Sequence, residues 1–181
     1  MTSLPGSSEF IFWELSSPMN LENYTLILPS ISVGNVGQLA VDLLLNNLNV
    51  KKAACINHPS IIPMAKIPSY ITFLTSFIKD QKVKRTILLA SSFSEFFTFD
   101  DLKGKPCRTI FFSPPSSEKE AIPLVALILI CSEGNNYPEA FRTLECLNKW
   151  LLLKEDMAAD KWQTPFSWKL PYGSAAPKTL Y

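Results

Sequence analysis

The residues able to do chemistry are few and scattered. His58 is the single histidine. It stands before Pro59 in a loop, with no glycine elbow around any serine, so a Ser-His-Asp or Cys-His relay has no frame. Cys55, Cys107, Cys131 and Cys146 are widely spaced and form no C-x-x-C pair. Together with one histidine they do not supply the close ligand set that a metal needs. The expectation is no catalytic residue, no metal and no cofactor. Asp100-Asp101 and Glu118 with Glu120 are loop carboxylates whose default is a solvated surface. Glu133 is placed differently, in a turn after the apolar run Leu124 to Ile130. Open α/β sheets put their sites at the C-terminal ends of parallel strands, and Glu133 falls at such an end. It can face a ligand there or simply hydrogen-bond the neighbouring turn.

The strongest local signal is a strand, glycine turn and helix. The apolar run Tyr24 to Leu28 leads into Ser30-Ile31-Ser32-Val33-Gly34-Asn35-Val36-Gly37-Gln38-Leu39. Gly34 and Gly37 allow positive φ or close backbone approach, and Asn35 is the next most tolerant type of a left-handed conformation. Asn35 is also a good cap for the helix it precedes. From Val36, residues 36, 39, 40, 43 and 44 keep a 3.6 period, with 41, 45 and 48 forming a second stripe beside it. Gln38, Asp42, Asn46 and Asn49 gather on one narrow polar strip. A helix with so little polar face requires cover on more than its sheet side, from the chain itself or from a partner. A second glycine turn, Ser132-Glu133-Gly134-Asn135-Asn136, follows the run Leu124 to Ile130. Such turns can cradle an anion at a helix N-terminus or can merely dock a helix on a sheet. Neither G-x-G-x-x-G nor G-x-x-x-x-G-K-[ST] is present, so no dinucleotide or nucleoside triphosphate is indicated.

The elements around these turns alternate. After the first helix, Lys51 to Ile56 is expected as a second strand, followed by a loop punctuated by Pro59, Pro63 and Pro68. Ile71, Phe73, Leu74, Phe77 and Ile78 give a helical face. Thr86 to Ala90 and Leu124 to Ile130 are continuous apolar runs, the mark of strands covered on both faces, and Arg108 to Phe112 is a further strand candidate. Pro138 opens the last helix, with Ala140, Phe141, Leu144, Leu147 and Leu151 as its inward stripe. Strands alternating with helices predict an α/β domain with a mostly parallel sheet. Residues 1–20 form a lead-in. Residues 155–181 are aromatic without a period, and aromatics at that density bury enough surface to offset ordering, so this tail is expected to lie along the domain.

The whole chain bounds the function further. At 181 residues, with 47% hydrophobic and 18% charged, it is expected to be one globular domain. A formal net charge of +1 with scattered lysines gives no footprint for nucleic acid. The one basic cluster, Lys82, Lys84 and Arg85, reads as a solvated helix end before a strand. Leu124 to Cys131 is the longest apolar run and is far too short for a membrane span, and Met1 to Ser8 does not resemble a secretory signal. The dispersed cysteines fit reduced thiols, hence cytoplasm or nucleus.

Taken together, Ser32-Val33-Gly34-Asn35-Val36-Gly37-Gln38-Leu39-Ala40, Ser132-Glu133-Gly134-Asn135, Leu147-Asn148-Lys149-Trp150-Leu151 and Trp162-x-x-Pro165-x-Ser167-Trp168 resemble the proteasome assembly chaperone 2 family in order and spacing. The resemblance implies a three-layer α/β/α domain, related in shape to nucleoside phosphorylases and hydrolases, here in a compact version. It also implies a non-enzymatic role. Members pair with proteasome assembly chaperone 1, and the heterodimer holds alpha-type subunits while they form a ring, preventing off-pathway ring dimers. Members commonly end in a hydrophobic-tyrosine-any residue tail that enters a pocket between alpha subunits. Leu180 and Tyr181 take the first two positions, and the last is absent. Members also carry extra strands and a longer insertion, for which Asn57 to Ser69 and Ser113 to Ala121 are too short. The chain is therefore either a compact divergent member or a shortened product of the same gene. The competing reading is an enzyme of the nucleoside phosphorylase or hydrolase kind, using Glu133 and the Gly34 turn.

Overall fold

Continuous apolar runs become the inner strands of the sheet, and the periodic runs become its helices. The computed structural model describes residues 11–13, 20–56, 67–96, 107–112, 124–132, 134–154 and 162–169. In chain order the elements are β1 (Ile11–Trp13), β2 (Thr25–Pro29), α1 (Val36–Asn47), β3 (Ala54–Ile56), α2 (Ile67–Asp80), β4 (Arg85–Ser92), β5 (Cys107–Phe112), β6 (Leu124–Ile130) and α3 (Tyr137–Leu151). Four strands form one sheet in the order β2-β4-β6-β5. Lys84 N donates to Tyr24 O at 3.1 Å and Ser30 N to Leu89 O at 2.8 Å, so β2 and β4 advance in the same direction. Cys131 N donates to Ser92 O at 3.0 Å, which brings the C-terminal ends of β4 and β6 side by side. The architecture is α/β with a mostly parallel open sheet, consistent with a three-layer α/β/α domain. In β6, Val125, Ala126, Leu127 and Leu129 are buried, neighbours on opposite faces alike, as a strand covered on both sides requires.

One expected strand goes elsewhere. Lys51 to Ile56 does not join the main sheet: only Ala54–Ile56 is extended, and it pairs antiparallel with β1 in a ribbon of its own, Phe12 opposite Cys55. Lys51 and Lys52 are exposed, and of the four apolar residues that remain Cys55 is exposed as well, too little for a strand buried on both faces. The lead-in thus contributes the strand that β3 pairs with.

The chain divides into two compact units, Met1–Ile27 with Val50–Ile87 and Phe111–Val125, and Leu28–Asn49 with Leu88–Ile110 and Ala126–Tyr181. Their boundaries fall inside β2, β4, β5 and β6. The first unit is closed by the end of α2. Lys82 N donates to Lys79 O and Val83 N to Ile78 O, the paired bonds of a Schellman turn with Lys82 left-handed at φ 50° in place of glycine. The turn buries Val83 with Phe77 and Ile78, against Leu21 and Leu26. The Lys82–Arg85 cluster is therefore only partly a solvated turn, because Arg85 is half-buried and its guanidinium donates to Thr25 Oγ1 at 3.1 and 3.3 Å.

The second unit is built on α1 packed against α3. Val36, Ala40, Leu43 and Leu44 of α1 and Ala140, Leu144 and Leu147 of α3 are buried. Fully burying a leucine contributes roughly 1.5 to 3 kcal/mol, so these stripes outweigh the helical preference of the surrounding residues. Among the described residues no helix is long and apolar enough to cross a membrane.

Candidate functional site

Because β4 lies between β2 and β6, the turns that follow the two flanking strands meet over the C-terminal end of β4. The first turn is left-handed at two successive residues, Gly34 (φ 62°) and Asn35 (φ 53°). This reverses the chain into α1. Asn35 occupies the N-cap position but makes no side-chain cap bond. A left-handed backbone, not the extended one of a capping asparagine, is the reason. Gln38, with its amide nitrogen turned toward the acceptors it faces, reaches Asn35 O at 3.2 Å and Ser30 O at 3.0 Å. Gly37 sits where an added Cβ would lie 2.4 Å from Leu89 O and 3.2 Å from Ser30 N, so only glycine lets α1 start this close to β4.

The second turn fills the space beside the first. A Cβ on Gly34 would lie 2.1 Å from Asn136 Nδ2. Asn136, 4% exposed, donates from that nitrogen to Ser132 O at 3.0 Å and Gly134 O at 3.1 Å. Asn135 Oδ1 accepts from Tyr137 N at 3.1 Å, which satisfies the first N–H of α3 from one residue before its N-cap, Asn136. Gly134, at φ 121°, is exposed and has open space where a side chain would go. The β4 end completes the junction. Ser91 N donates to Ser32 Oγ at 3.0 Å, Ser32 donates to Ser91 Oγ at 2.9 Å, and Ser91 in turn donates to Val33 O. Cys131 Sγ donates to the same carbonyl at 3.5 Å.

Chemically this junction is a set of mutually satisfied groups. The hydroxyls of Ser32 and Ser91 end on a carbonyl, with no base in the chain of bonds. Burial pushes the Cys131 thiol up, the Glu139 carboxylate adds to that, and the Ser91 bond opposes it. A nucleophilic cysteine needs the opposite shift. Among the described residues no three or more His, Cys, Asp or Glu stand together as a metal site.

A second region lies over α1 and α3: a strap from Trp162 to Lys169. Asn47 of α1 pairs with the backbone of Gln163 in both directions, accepting from its N–H at 2.7 Å and donating to its carbonyl at 2.8 Å. Asn46 donates to that carbonyl as well, at 2.9 Å. At the other end Trp168 stacks on Tyr137 with centroids 4.4 Å apart, meets Phe141 edge-on, and donates its indole N–H to Asp42 at 3.4 Å. Trp162, Pro165 and Trp168 are buried. Lys154 places its ammonium 5.0 Å over the Trp162 ring, where a cation is attracted to the π face. Lys154 is itself fixed by Asn148, which accepts from its N–H at 2.9 Å and donates to its carbonyl at 3.1 Å. Asp42 and Asn46 belong to the polar strip of α1, so that strip, though exposed, is where the chain's own aromatic segment is fastened.

Gly34, Asn35, Gly37, Gly134 and Asn135 thus come together at one end of the sheet. Glu133, His58, Leu180 and Tyr181 lie outside the described residues. Ser91, Asn47, Asn136 and Asn148 escape a reading of the sequence alone. Their signal is faint: Ser91 breaks an apolar strand run, and the asparagines stand at helix ends.

No family profile matches the chain. Curated relatives do. A Danio rerio protein named "Proteasome assembly chaperone 2" is 27% identical over 90% of this chain and 96% of its own length. Proteins of the same name from Xenopus laevis and Homo sapiens are 25% and 24% identical, over 87% and 91% of this chain and 94% and 97% of theirs. By sequence the chain is a relative of proteasome assembly chaperone 2. The alignment with the Danio rerio chaperone spans 252 residues, more than the 181 of this chain, so that chaperone carries stretches with no counterpart here.

Proposed function

We propose that this chain promotes assembly of the proteasome as a chaperone, by surface fit and without making or breaking a covalent bond. The observation that carries the reading is the similarity, over about nine-tenths of the chain, to proteins bearing that name. The junction supports it, since among the described residues the place where an open α/β sheet would hold a ligand is occupied by Asn136 and by hydroxyls satisfied on backbone. In detail, the chain acts as one half of a heterodimer with proteasome assembly chaperone 1, in the cytoplasm and nucleus. The pair holds alpha-type subunits while their ring forms and prevents off-pathway ring dimers. Leu180 and Tyr181 are the docking end, entering a pocket between alpha subunits.

Affinity purification from the native cell tests this reading. Proteasome assembly chaperone 1 and alpha-type subunits are expected to co-purify, and mature proteasomes lacking both companions would count against it. Replacing Tyr181 by alanine is expected to weaken capture of alpha-type subunits about 30-fold, the loss of a buried tyrosine anchor worth about 2 kcal/mol, with the melting temperature unchanged. Incubation with a nucleoside panel, with and without phosphate, is expected to give no turnover. Turnover at a useful rate would replace the chaperone reading with an enzymatic one.

A further inference from the structure

We infer that the face shared by α1 and α3 is a peptide-binding site, which the strap Trp162–Lys169 fills as a built-in, replaceable ligand. The strap lies there as a linear motif does. Trp162, Pro165 and Trp168 are buried while Gln163, Thr164, Phe166 and Ser167 are exposed, so every third residue is an anchor. Residues 163–165 belong to no helix or strand, and Phe166–Lys169 make one 3-10 turn. The face grips backbone at one end of this motif. Asn47 accepts from the Gln163 N–H and donates to its carbonyl, and Asn46 donates to the same carbonyl. One side-chain amide thus matches both groups of a peptide unit, a pairing open to any residue at this place except proline. The anchors supply the selectivity. Trp168 meets Tyr137, Phe141 and Asp42, and Trp162 lies under the Lys154 ammonium.

The strap is an imperfect occupant of this face. The indole N–H of Trp168 reaches Asp42 at 3.4 Å, whereas that of Trp162, 4% exposed, has no hydrogen-bond partner among the described residues. A buried donor left unpaired is a standing cost, and an aromatic ring without a polar edge would occupy the same place free of it. The ligand that fits best is therefore a segment of a partner protein carrying phenylalanine, proline and tryptophan at successive third positions. Such a segment competes with the strap for the face. Lifting the strap does not unmake the site, because Leu43 and Leu44 of α1 and Leu144 and Leu147 of α3 are buried where the helices pack on each other.

The test uses the full chain and a fluorescently labelled synthetic peptide of residues 162–169, with binding read by anisotropy and folding by thermal melting. In Trp162→Ala/Trp168→Ala the strap loses both aromatic anchors, which opens the face. Apparent affinity scales with the fraction of molecules whose site is open, so this variant is expected to bind the peptide at least about ten-fold more tightly than the parent. Adding Asn47→Ala should weaken that binding roughly ten-fold, through loss of two bonds to one peptide unit. In the peptide, Trp162→Phe should be tolerated without loss and Trp168→Phe should cost about five-fold, since only the second indole has a partner. Equal losses at the two positions, or equal binding of a scrambled peptide, would overturn the inference. So would a double variant that melts cooperatively and does not bind. If it does not melt cooperatively, the parent with a protease site inserted after Lys154 takes its place. After cutting, the labelled peptide is expected to exchange into a body that stays folded; failure to exchange, or unfolding on cutting, overturns the proposal. A dimer of the parent that the double variant lacks would give the face to a second copy and overturn it equally.

Discussion

The junction of the two glycine turns and the strap over α1 and α3 are both ordered, yet they are held by different means. At the junction, backbone meets backbone at Gly37, which lies against the Leu89 carbonyl and the Ser30 N–H, and short buried side chains close the rest: Val33 O accepts from the Ser91 hydroxyl and the Cys131 thiol, and Asn136 stands beside Gly34. At Gly37 no flexible side chain stands in the way that could move aside. In the strap, side chains do the holding, through an asparagine amide, an indole and a stacked ring. The difference teaches which part can be altered without losing the other. A change at the junction has to move the sheet or the start of a helix, whereas the strap can lift off while α1 and α3 remain packed through Leu43, Leu44, Leu144 and Leu147.

Gly37→Val makes the largest test. Its Cβ alone would stand 2.4 Å from a backbone oxygen inside β4, so α1 must shift as a body. A loss of about 3 kcal/mol and a fall of about 10 °C in melting temperature are expected. An unchanged melting temperature would mean that the junction is looser than its contacts imply. Trp168→Ala comes next, at about 2 kcal/mol, less than a core tryptophan because only the strap is released. Hydrogen exchange separates the two cases. In Trp168→Ala the α1 amides should stay protected; if they lose protection together with residues 162–169, the strap belongs to the cooperative core and the contrast collapses.

How much is legible in the residues differs between the two regions for the same physical reason. The helix period at 36, 39, 40, 43 and 44 and the apolar run 124–130 announce α1 and β6, because burial imposes period and continuity on sequence. Order across the sheet imposes nothing local, so nothing in Ser32 or Ser91 says that they meet, and nothing in Ala54 to Ile56 says that they pair with Ile11 to Trp13 and not with the sheet. The strap is legible only as aromatic density and a narrow polar strip on α1. That Asn47, one position off the strip, binds Gln163 depends on the rotation of α1 and the path of a segment more than a hundred residues later. The similarity to proteasome assembly chaperone 2 is readable because it resides in ordered motifs, which need no geometry.

A pH titration probes the junction without any substitution. Burial and Glu139 hold the Cys131 proton more tightly in the folded than in the unfolded chain. The folded pKa is raised, so this contribution to stability is complete below the ordinary thiol range and is lost as the pH rises through it. Tyr70, raised by burial in the other unit, has the same sign at higher pH. Unfolding midpoints measured across alkaline pH should therefore fall, and Cys131→Ala should remove the earlier part of the fall. A profile that Cys131→Ala leaves unchanged would mean that the thiol is as hydrated in the fold as outside it.

The smallest effect separates backbone conformation from packing within the junction itself. Gly134 and Gly34 both have positive φ, at 121° and 62°, but a side chain at 134 meets nothing while one at 34 meets Asn136. Gly134→Ala should cost about 1 kcal/mol, the strain of an L-residue in that region alone. Gly34→Ala should exceed it, because the amide of Asn136 must leave the two carbonyls it serves. Removing that amide as well turns the difference into a measurement. In an Asn136→Ala background the extra penalty at 34 should shrink toward that at 134, since the clash has gone and only the backbone remains. If the two glycines respond alike in the parent, conformation rather than contact governs this end of the sheet, and the closeness of the two turns has no energetic meaning.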